Sequence, residues 1–210
     1  ENVSAQKERY IKAVEKFCAL YGDRDNLVIF SAPGRTEIGG NHTDHNKGCV
    51  LAASVSVDII AVASKTEDGV IRVKSEGFDE DVVDIAAYTT PDPARFASSA
   101  SIIAGMSAQF VQNGLCTGGF DAYTTSAVLK GSGISSSAAF EDMIGNILNH
   151  LYNDGKVDNV EIAKIAQYAE NEFFGKPCGL MDQVACAAGG IVAIDFETVG
   201  APVIEQIDYD

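Results

Sequence analysis

The chain has 210 residues, enough for one large domain and too few for two domains of full size. An apolar fraction of 46% supports a hydrophobic core, and 21% charged residues with 20 glycines are typical of a protein that mixes helices and strands. A formal net charge of −15 argues against nucleic acid or an anionic membrane surface as the main partner. Any bound phosphate must therefore be held by local amides, a metal ion and one or two basic side chains.

The cysteines and the termini indicate the cellular compartment. Most of the five cysteines lie in apolar sequence and none forms a C-x-x-C pair, which predicts reduced core thiols in a cytoplasmic protein. They are Cys18, Cys49, Cys116, Cys178 and Cys186. No apolar run approaches the length of a membrane span, and no signal peptide is visible. The first residue is Glu1 rather than methionine, which suggests a processed or trimmed N-terminus.

Hydrophobic periodicity predicts the elements of the first half of the chain. Residues 4–21 form an amphipathic helix, and residues 27–32 form a short strand that Pro33 and Gly34 end. After a polar stretch, residues 49–63 form a long strand, and residues 70–75 pair with it across a turn at 67–69. The acidic segment 79–84 is exposed. Residues 91–113 form a helix with Phe96 and Val111 inside, and residues 120–128 form a strand.

The second half predicts two helices and two further strands. A glycine-serine loop leads into a helix that begins within the serine run Ser135–Ser137 and continues to Tyr152. Asp158 caps the next helix, which Gly175 and Pro177 end. Residues 191–196 form a strand, and the tail forms another strand that ends without a partner. Strands precede helices without strict βαβ repetition, which predicts an α+β fold with helices layered on one mixed sheet.

The glycine-serine loop is a candidate phosphate site. Glycines allow close backbone approach, and the amides of a first helical turn lack partners within the helix, so an anion is favoured there. The loop lacks the Lys-Ser/Thr ending of a P-loop, and the chain contains no G-x-G-x-x-G motif. An ordinary connector is the alternative interpretation. The candidate residues are Gly131, Ser132, Gly133, Ile134, Ser135, Ser136 and Ser137.

We call three polar stretches the first, second and third islands: residues 34–48, 131–137 and 170–183. The third offers Glu170 as a partner for a magnesium ion, together with one serine of the loop, because Mg²⁺ takes few protein ligands. It also offers Asp182 in a tight turn. Brought together, the islands predict phosphoryl transfer onto an alcohol. The first island adds Arg35, which is permanently charged. It also adds groups that recognise the hydroxyls of a polyol: Asn41, His42 and Asp44.

Other interpretations of these residues remain open. His42 and His45 have the H-x-x-H spacing of a zinc pair, but no third ligand accompanies them. Both could equally be turn residues. His150, on the helix after the loop, is expected to be structural. Asp182 taken alone could be a helix cap.

The three islands resemble the signatures of a known family. APGRTEIGGNHTDHNKG resembles the galactokinase signature, GSGISSSAA resembles the phosphate loop of the GHMP small-molecule kinases, and AENEFFGKPCGLMDQ resembles the segment that carries their catalytic aspartate. The resemblance covers nearly the whole chain in the right order. It implies the GHMP N-terminal domain over residues 1–210, including a left-handed βαβ unit. The second domain of the family lies outside this chain.

The resemblance also implies an activity and residue roles. The activity is transfer of the ATP γ-phosphate to the anomeric hydroxyl of galactose, with galactose and ATP as partners and Mg²⁺ as cofactor. Asp182 is expected to be the catalytic aspartate with Arg35 beside it, and residues 131–137 to wrap the phosphates. Ser137 and Glu170 are expected to bind magnesium. The residues expected to line the sugar are Asn41, His42, Asp44, Gly179 and Asp182.

The chain departs from the family pattern at two positions. Asn41 stands where most members have a glutamate, and Glu37 stands where an asparagine is usual. A related hexose is therefore an alternative substrate. A sensor that binds sugar and ATP and regulates a partner without catalysis is a further alternative, although Arg35, Asp182 and the serines are all present. An isolated N-terminal lobe is expected to be inactive.

Overall fold

The computed structural model describes residues 3–128, 131–198 and 200–208. The strands in these ranges are β1 (Val28–Gly39), β2 (Cys49–Lys65), β3 (Val70–Ser75), β4 (Glu80–Asp84), β5 (Phe120–Ser126), β6 (Ile191–Asp195) and β7 (Val203–Ile207). The helices are α1 (Val3–Tyr21), α2 (Ser99–Gln112), α3 (Ser136–Tyr152), α4 (Asn159–Tyr168) and α5 (Met181–Ala188). Short 3₁₀ turns occupy Asp44–Asn46 and Pro93–Arg95, and α4 continues into a π-helical turn, Ala169–Phe173.

One mixed sheet contains all the described strands, in the order β4-β3-β5-β2-β6-β7 with β1 paired to β2. The central strand β2 pairs with β5 through Ile59–Lys65 and with β6 through Cys49–Ala53. Strands β3 and β5 are parallel, and the chain between them passes through β4 and α2. The other pairings are antiparallel. The predicted α+β class with one mixed sheet is confirmed.

Helices cover both faces of the sheet, which explains why β2 is apolar along most of its length. Alternate side chains of a strand point to opposite faces. On β2, Ile59 and Ala61 join the core cluster that contains α2 and α3, while Ile60 and Val62 pack with Phe17 of α1. A strand buried on both faces carries a nearly continuous apolar run. This burial fixes β2 as the rigid centre of the domain.

Two predicted strand pairings are wrong. Strand β3 does not pair with β2, because β5 lies between them and forms a parallel ladder with β3. Strand β5, which comes much later in the chain, thus occupies the position beside β2 that β3 would have in a hairpin. The C-terminal strand β7 pairs with β6 from Ile191↔Ile207 to Asp195↔Val203, so the expectation that the tail has no partner is also wrong.

Strand β1 continues through Pro33 to Gly39, whereas the sequence predicted that it ends at Pro33 and Gly34. The register against β2 shifts between Pro33 and Arg35, and again between Glu37 and Gly39. Proline lacks an N–H and is accommodated in a strand at such irregularities. The first island therefore begins as a strand rather than a loop, and this strand rigidly positions Arg35.

The segments around α2 also differ from prediction. Helix α2 begins at Ser99 and not, as predicted, at residue 91. Ser98 caps it, because the Ser98 side chain accepts a hydrogen bond from the Ser101 amide. Phe96 and Val111 are 39% and 57% exposed, so neither lies in the core. The acidic segment before α2 forms the edge strand β4, where Val83 is buried although its acidic neighbours are largely exposed.

The five cysteines are free, as expected, but only Cys186 is buried. Cys49 and Cys116 are exposed, so the prediction that most cysteines are core thiols is wrong. The prediction failed because apolar neighbours in the sequence do not show whether a cysteine lies on the buried or the exposed face of its segment. In the described part of the chain, no helix has the length and apolar character needed to cross a membrane.

Candidate active site

Arg35 joins all three islands. Its Nε donates a hydrogen bond of 2.8 Å to Oδ1 of Asp182, at the start of α5. Its Nη1 donates a second hydrogen bond, also of 2.8 Å, to the carbonyl of Gly133 in the second island. The Arg35 guanidinium group thus contacts two residues that are 147 and 98 positions away in the sequence. Arg35 is only 6% exposed, so its charge is directed at these partners rather than at solvent.

A glycine next to Arg35 allows the close approach of the second island. A Cβ at Gly34 would lie 2.6 Å from the carbonyl oxygen of Ile134, a distance that real Cβ atoms do not adopt. The Arg35 amide donates a hydrogen bond of 3.1 Å to that same oxygen. The backbone of β1 and the loop before α3 are therefore in direct contact, and this contact requires glycine at position 34.

Ser135 donates to the other oxygen of Asp182. Helix α3 begins at Ser136, within the serine run as predicted, and Ser135 stands at the N-cap position with φ of 57°. Its side chain does not cap the helix; its hydroxyl donates a hydrogen bond of 2.7 Å to Oδ2 of Asp182. The acceptor is a carboxylate, so this hydrogen bond is stronger than one to a neutral group. Asp182 is thereby fixed from two sides.

These contacts keep Asp182 ionised. Burial raises the pKa of Asp182, but the hydrogen bonds from Arg35 and Ser135 and the positive charge of Arg35 together lower the pKa below its ordinary value. A third of the Asp182 side chain remains exposed, so a ligand can reach it. The result is an oriented carboxylate that is available as a hydrogen-bond acceptor.

Asp44 connects the first island to the third. Its Oδ2 accepts a hydrogen bond of 3.1 Å from the Met181 amide, and its Oδ1 accepts one from the His45 amide. A Cβ on Gly179 would lie 1.7 Å from Oδ2 of Asp44, so only glycine fits at that position. The Asp44 side chain is 6% exposed. Asp44 and Gly179 are therefore in contact, and Asp44 also supports the start of α5.

A strained turn presents His42 to Asp182. Asn41 and His42 have φ values of 57° and 53°, both in the left-handed region. Glu37 accepts a hydrogen bond of 2.8 Å from the His42 amide, and its second oxygen contacts Nδ1 of His42. The opposite ring nitrogen, Nε2, lies 3.7 Å from Oδ1 of Asp182. The side chain of His42 is 55% exposed, and Asn41 is also exposed.

The second island lies at the open side of this arrangement. Gly131 and Gly133 have φ values of 79° and 80°, which favour glycine, and a Cβ at either position would meet no atom within 4 Å. Ser132 is exposed beside them, and Ser136 is half-buried. Ser137, in the first turn of α3, is exposed. The loop therefore leaves room for a ligand over the start of α3.

Glu170, which is predicted to bind magnesium together with Ser137, already has protein partners. The Glu170 carboxylate is 3% exposed and accepts from Nζ of Lys176 at 2.8 Å and from Nε2 of Gln183 at 3.0 Å. Among the described residues, no hydrogen bond joins it to Ser137. The same ranges hold no group of three or more His, Cys, Asp and Glu side chains that could bind a metal. The zinc alternative for His42 and His45 therefore has no structural support in the described residues.

Two further acidic side chains are buried beneath the site. Glu141 on α3 accepts a hydrogen bond of 3.1 Å from Nε2 of Gln183, the group that also binds Glu170. Burial and the nearby charge of Glu170 raise the pKa of Glu141 to about 8. Burial and Glu141 likewise raise the pKa of Asp142 well above its ordinary value. Both carboxyl groups therefore resist ionisation in the folded protein.

Glu141→Gln should stabilise the fold increasingly as the pH rises. A carboxyl whose folded-state pKa is raised supports the fold below its unfolded pKa, near 4.5, and loses that contribution as the pH rises toward about 8. Glutamine cannot ionise, so its advantage should grow across this window, reaching about 1–4 kcal/mol at pH 8. Urea unfolding at a series of pH values measures this. Glu67→Gln, at an 88% exposed side chain, is the matched control. Equal pH dependence in the wild type and Glu141→Gln would contradict the expectation.

Sequence reasoning missed several members of this cluster. It treated Glu37 as a departure from the family pattern and not as a partner of His42. It also assigned no role to Glu141, Lys176 or Gln183. A signal for Glu37 existed, because a carboxylate on a strand just before a glycine turn commonly accepts the amides of that turn. No local signal marked Gln183, whose partners come from α3 and the π-helical turn.

Two family descriptions match this chain. The galactokinase galactose-binding signature matches residues 15–65, and the N-terminal domain of the GHMP kinases matches residues 100–190. These ranges contain all three islands in full. The segment between them contains β3, β4 and the start of α2.

Curated relatives and a solved structure agree with these matches. The chain is 34% identical over 179 residues to a galactokinase of Bacillus subtilis, covering 82% of this chain and 44% of that protein. It is 37% identical over 188 residues to a galactokinase of Lactobacillus helveticus, covering 87% and 46%. A crystal structure of Lactococcus lactis galactokinase with galactose superposes with a TM-score of 0.83 at 26% identity, over 95% of this chain and 52% of that one. The chain thus spans about half the length of the curated relatives it matches.

Proposed function

We propose that this chain belongs to the GHMP kinases, whose N-terminal domain matches residues 100–190, and that the full-length protein is a galactokinase. The reaction is transfer of the γ-phosphate of ATP, the phosphate donor of this family, to the anomeric hydroxyl of galactose. One observation carries the proposal: Arg35, Ser135 and Asp182 bring the three islands into hydrogen-bond contact. We infer a cytoplasmic location from the family resemblance and the free cysteines.

In the proposed reaction, Asp182 accepts the proton of the anomeric hydroxyl as that oxygen attacks the γ-phosphate. Arg35 and Ser135 hold the carboxylate ionised and oriented, and the charge of Arg35 lies close to the transferring phosphoryl group. Residues 131–137 bind the phosphates over the start of α3. Asn41, His42, Asp44 and Gly179 line the sugar. The second domain of the family would close over the nucleotide, so residues 1–210 alone should turn over negligibly.

In this proposal, Glu170 and Ser137 would hold the magnesium ion. A carboxylate and a hydroxyl are hard oxygen donors of the kind that Mg²⁺ prefers, with phosphate oxygens and water completing its shell. The Lys176 ammonium already pairs with Glu170, so the surroundings of this carboxylate accept a positive charge. When bound, the ion neutralises charge on the phosphates. Lys176 must swing away to free Glu170, and its 60% exposed side chain has room to do so.

Gly133→Val should abolish ATP binding to the full-length protein without unfolding it. Valine is disfavoured at φ of 80°, and its branched side chain would occupy the open space above the loop. We expect a loss of at least tenfold in affinity, about 1.4 kcal/mol or more, by titration calorimetry. Gly69→Val is the matched control, with φ of 70° and similarly open space in the β2–β3 turn. If both variants bind ATP with wild-type affinity, residues 131–137 are only a connector.

A coupled assay of ADP release with galactose tests the activity directly, with glucose and mannose as competing acceptors. Galactose-dependent release of ADP supports the proposal. Phosphorylation of another hexose in preference to galactose would redirect it to a related sugar kinase. Binding of both galactose and ATP without ADP release would overturn the proposed kinase activity and favour a sensor.

A further inference from the structure

We propose that Glu37 is a positioning residue that holds the proton of His42 on Nδ1, so that Nε2 faces the active site as a hydrogen-bond acceptor for a sugar hydroxyl. This role deepens the proposed sugar kinase activity and rests on it. Glu37 is separate from the residues assigned to the sugar, because its carboxylate contacts the turn and the ring rather than the open side of the site.

The carboxylate of Glu37 is enclosed by donors from the turn that follows it. One oxygen accepts the His42 amide at 2.8 Å, and the other contacts Nδ1 of the same residue. Its side chain is 16% exposed. Burial raises the pKa of Glu37, but hydrogen bonds from the amide and ring of His42 and from the amide of Asn41 lower it. Glu37 is therefore ionised, and an ionised carboxylate only accepts hydrogen bonds.

This determines the protonation of the imidazole. A nitrogen that contacts an ionised carboxylate carries a proton, and in a neutral ring the opposite nitrogen then has a lone pair. Nδ1 of His42 is the nitrogen at Glu37, so Nε2 is the acceptor. Nε2 lies 3.7 Å from Oδ1 of Asp182, which accepts from Arg35. Two acceptors thus border the same space, and a ligand with neighbouring O–H donors satisfies both.

Glu37 also holds the turn in its strained shape. Asn41 and His42 are consecutive residues in the left-handed region, an arrangement that is costly for side chains other than glycine. The amides of both residues point to Glu37. Glu37 lies on β1, opposite Ala52 of the central strand β2, just before the second register shift. The rigid strand therefore sets the position of the ring through this one carboxylate.

Glu37→Gln tests the role with a change of shape too small to disturb packing. A glutamine amide can donate to Nδ1, which moves the ring proton to Nε2 and converts the acceptor into a donor directed at Asp182. In the full-length protein we expect the KM for galactose to rise about tenfold, with kcat within a few-fold of wild type and the KM for ATP unchanged. Glu67→Gln, on the exposed β2–β3 turn, is the matched control and should behave as wild type.

A second measurement needs no substrate. Nitrogen-15 NMR of the imidazoles at pH 8, with His42 assigned by its loss in His42→Gln, should show the proton on Nδ1 in the wild type and a shift toward Nε2 in Glu37→Gln. A wild-type His42 protonated on Nε2, or on both nitrogens, would overturn the proposal. So would a Glu37→Gln protein with wild-type KM and tautomer. Failure of the wild type to phosphorylate galactose would instead overturn the proposed function, and the tautomer would still decide the role of Glu37.

Discussion

Asp182→Asn in the full-length protein should lower kcat for galactose phosphorylation by on the order of 10²–10⁴ while galactose still binds. Asparagine keeps the size of the side chain and can still accept from Arg35, so the geometry around α5 is retained. It cannot take the proton of the attacking hydroxyl, and that step is therefore lost. Steady-state kinetics combined with calorimetric titration of galactose separates the loss of turnover from any loss of binding.

The control for this change is Asp58→Asn. Asp58 pairs with Arg9 of α1, with side chains 18% and 19% exposed. Asp58→Asn alters an aspartate in another ion pair, which joins α1 and β2, and kcat should remain at the wild-type value. An Asp182→Asn enzyme within a few-fold of wild type would show that Asp182 is not the base.

Arg35→Ala should damage both catalysis and stability. Its removal frees Asp182, leaves the Gly133 carbonyl without its donor and takes away the cation beside the transferring phosphoryl group. We expect a loss in kcat/KM of on the order of 10³, and a loss in unfolding free energy of about 1.5–3 kcal/mol, the usual size for a hydrogen bond to a charged group. Kinetics and urea unfolding measure the two effects on the same preparation.

The pH dependence of Arg35→Ala provides a further check. In the wild type the folded-state pKa of Asp182 is below its ordinary value, so Asp182 contributes stability above that value, and this contribution is lost as the pH falls through the folded-state pKa. Without Arg35 this contribution should shrink, and the stability deficit should be larger at neutral pH than in acid. Arg9→Ala is the matched control, since it breaks an ion pair between α1 and β2 that includes no residue of the three islands. It should lower stability and leave kcat/KM unchanged.

Local sequence signals predicted the elements that depend on local interactions. The helix after the serine run begins at Ser136, and Asp158 caps the following helix by accepting from the Glu161 amide. Both depend on residues within one turn. These features are set by short-range geometry, which a single sequence expresses directly.

Strand pairing was harder to predict because it depends on residues far apart in the chain. The pattern of residues 70–75 fits a hairpin with β2 as well as the parallel ladder with β5 that it actually forms. Pro33 looked like the end of a strand, but the register shift at Arg35 accommodates it. Only the completed sheet distinguishes these outcomes.

The site shows the same division between local chemistry and long-range contact. Arg35, Asp182 and the serines were identified from their chemistry and from the family resemblance. Their arrangement was not evident: Ser135 binds Asp182 instead of capping α3, and Glu170 pairs with Lys176. The contact between Ser135 and Asp182 links two islands, and no spacing within one island predicts it.

The way β2 is paired has a consequence for the synthesis of this protein on the ribosome. The first part of β2, Cys49–Ala53, pairs with β6, and the adjoining contact between Ser54 and Gly190 joins residues 136 positions apart. At about 5–20 residues per second, β6 is made roughly seven to thirty seconds after β2. During that interval β1 can pair with one edge of the segment CVLAA, but the edge that faces β6 has no partner, and unpaired edges promote aggregation. This edge of the central strand is therefore completed only after β6 has been made.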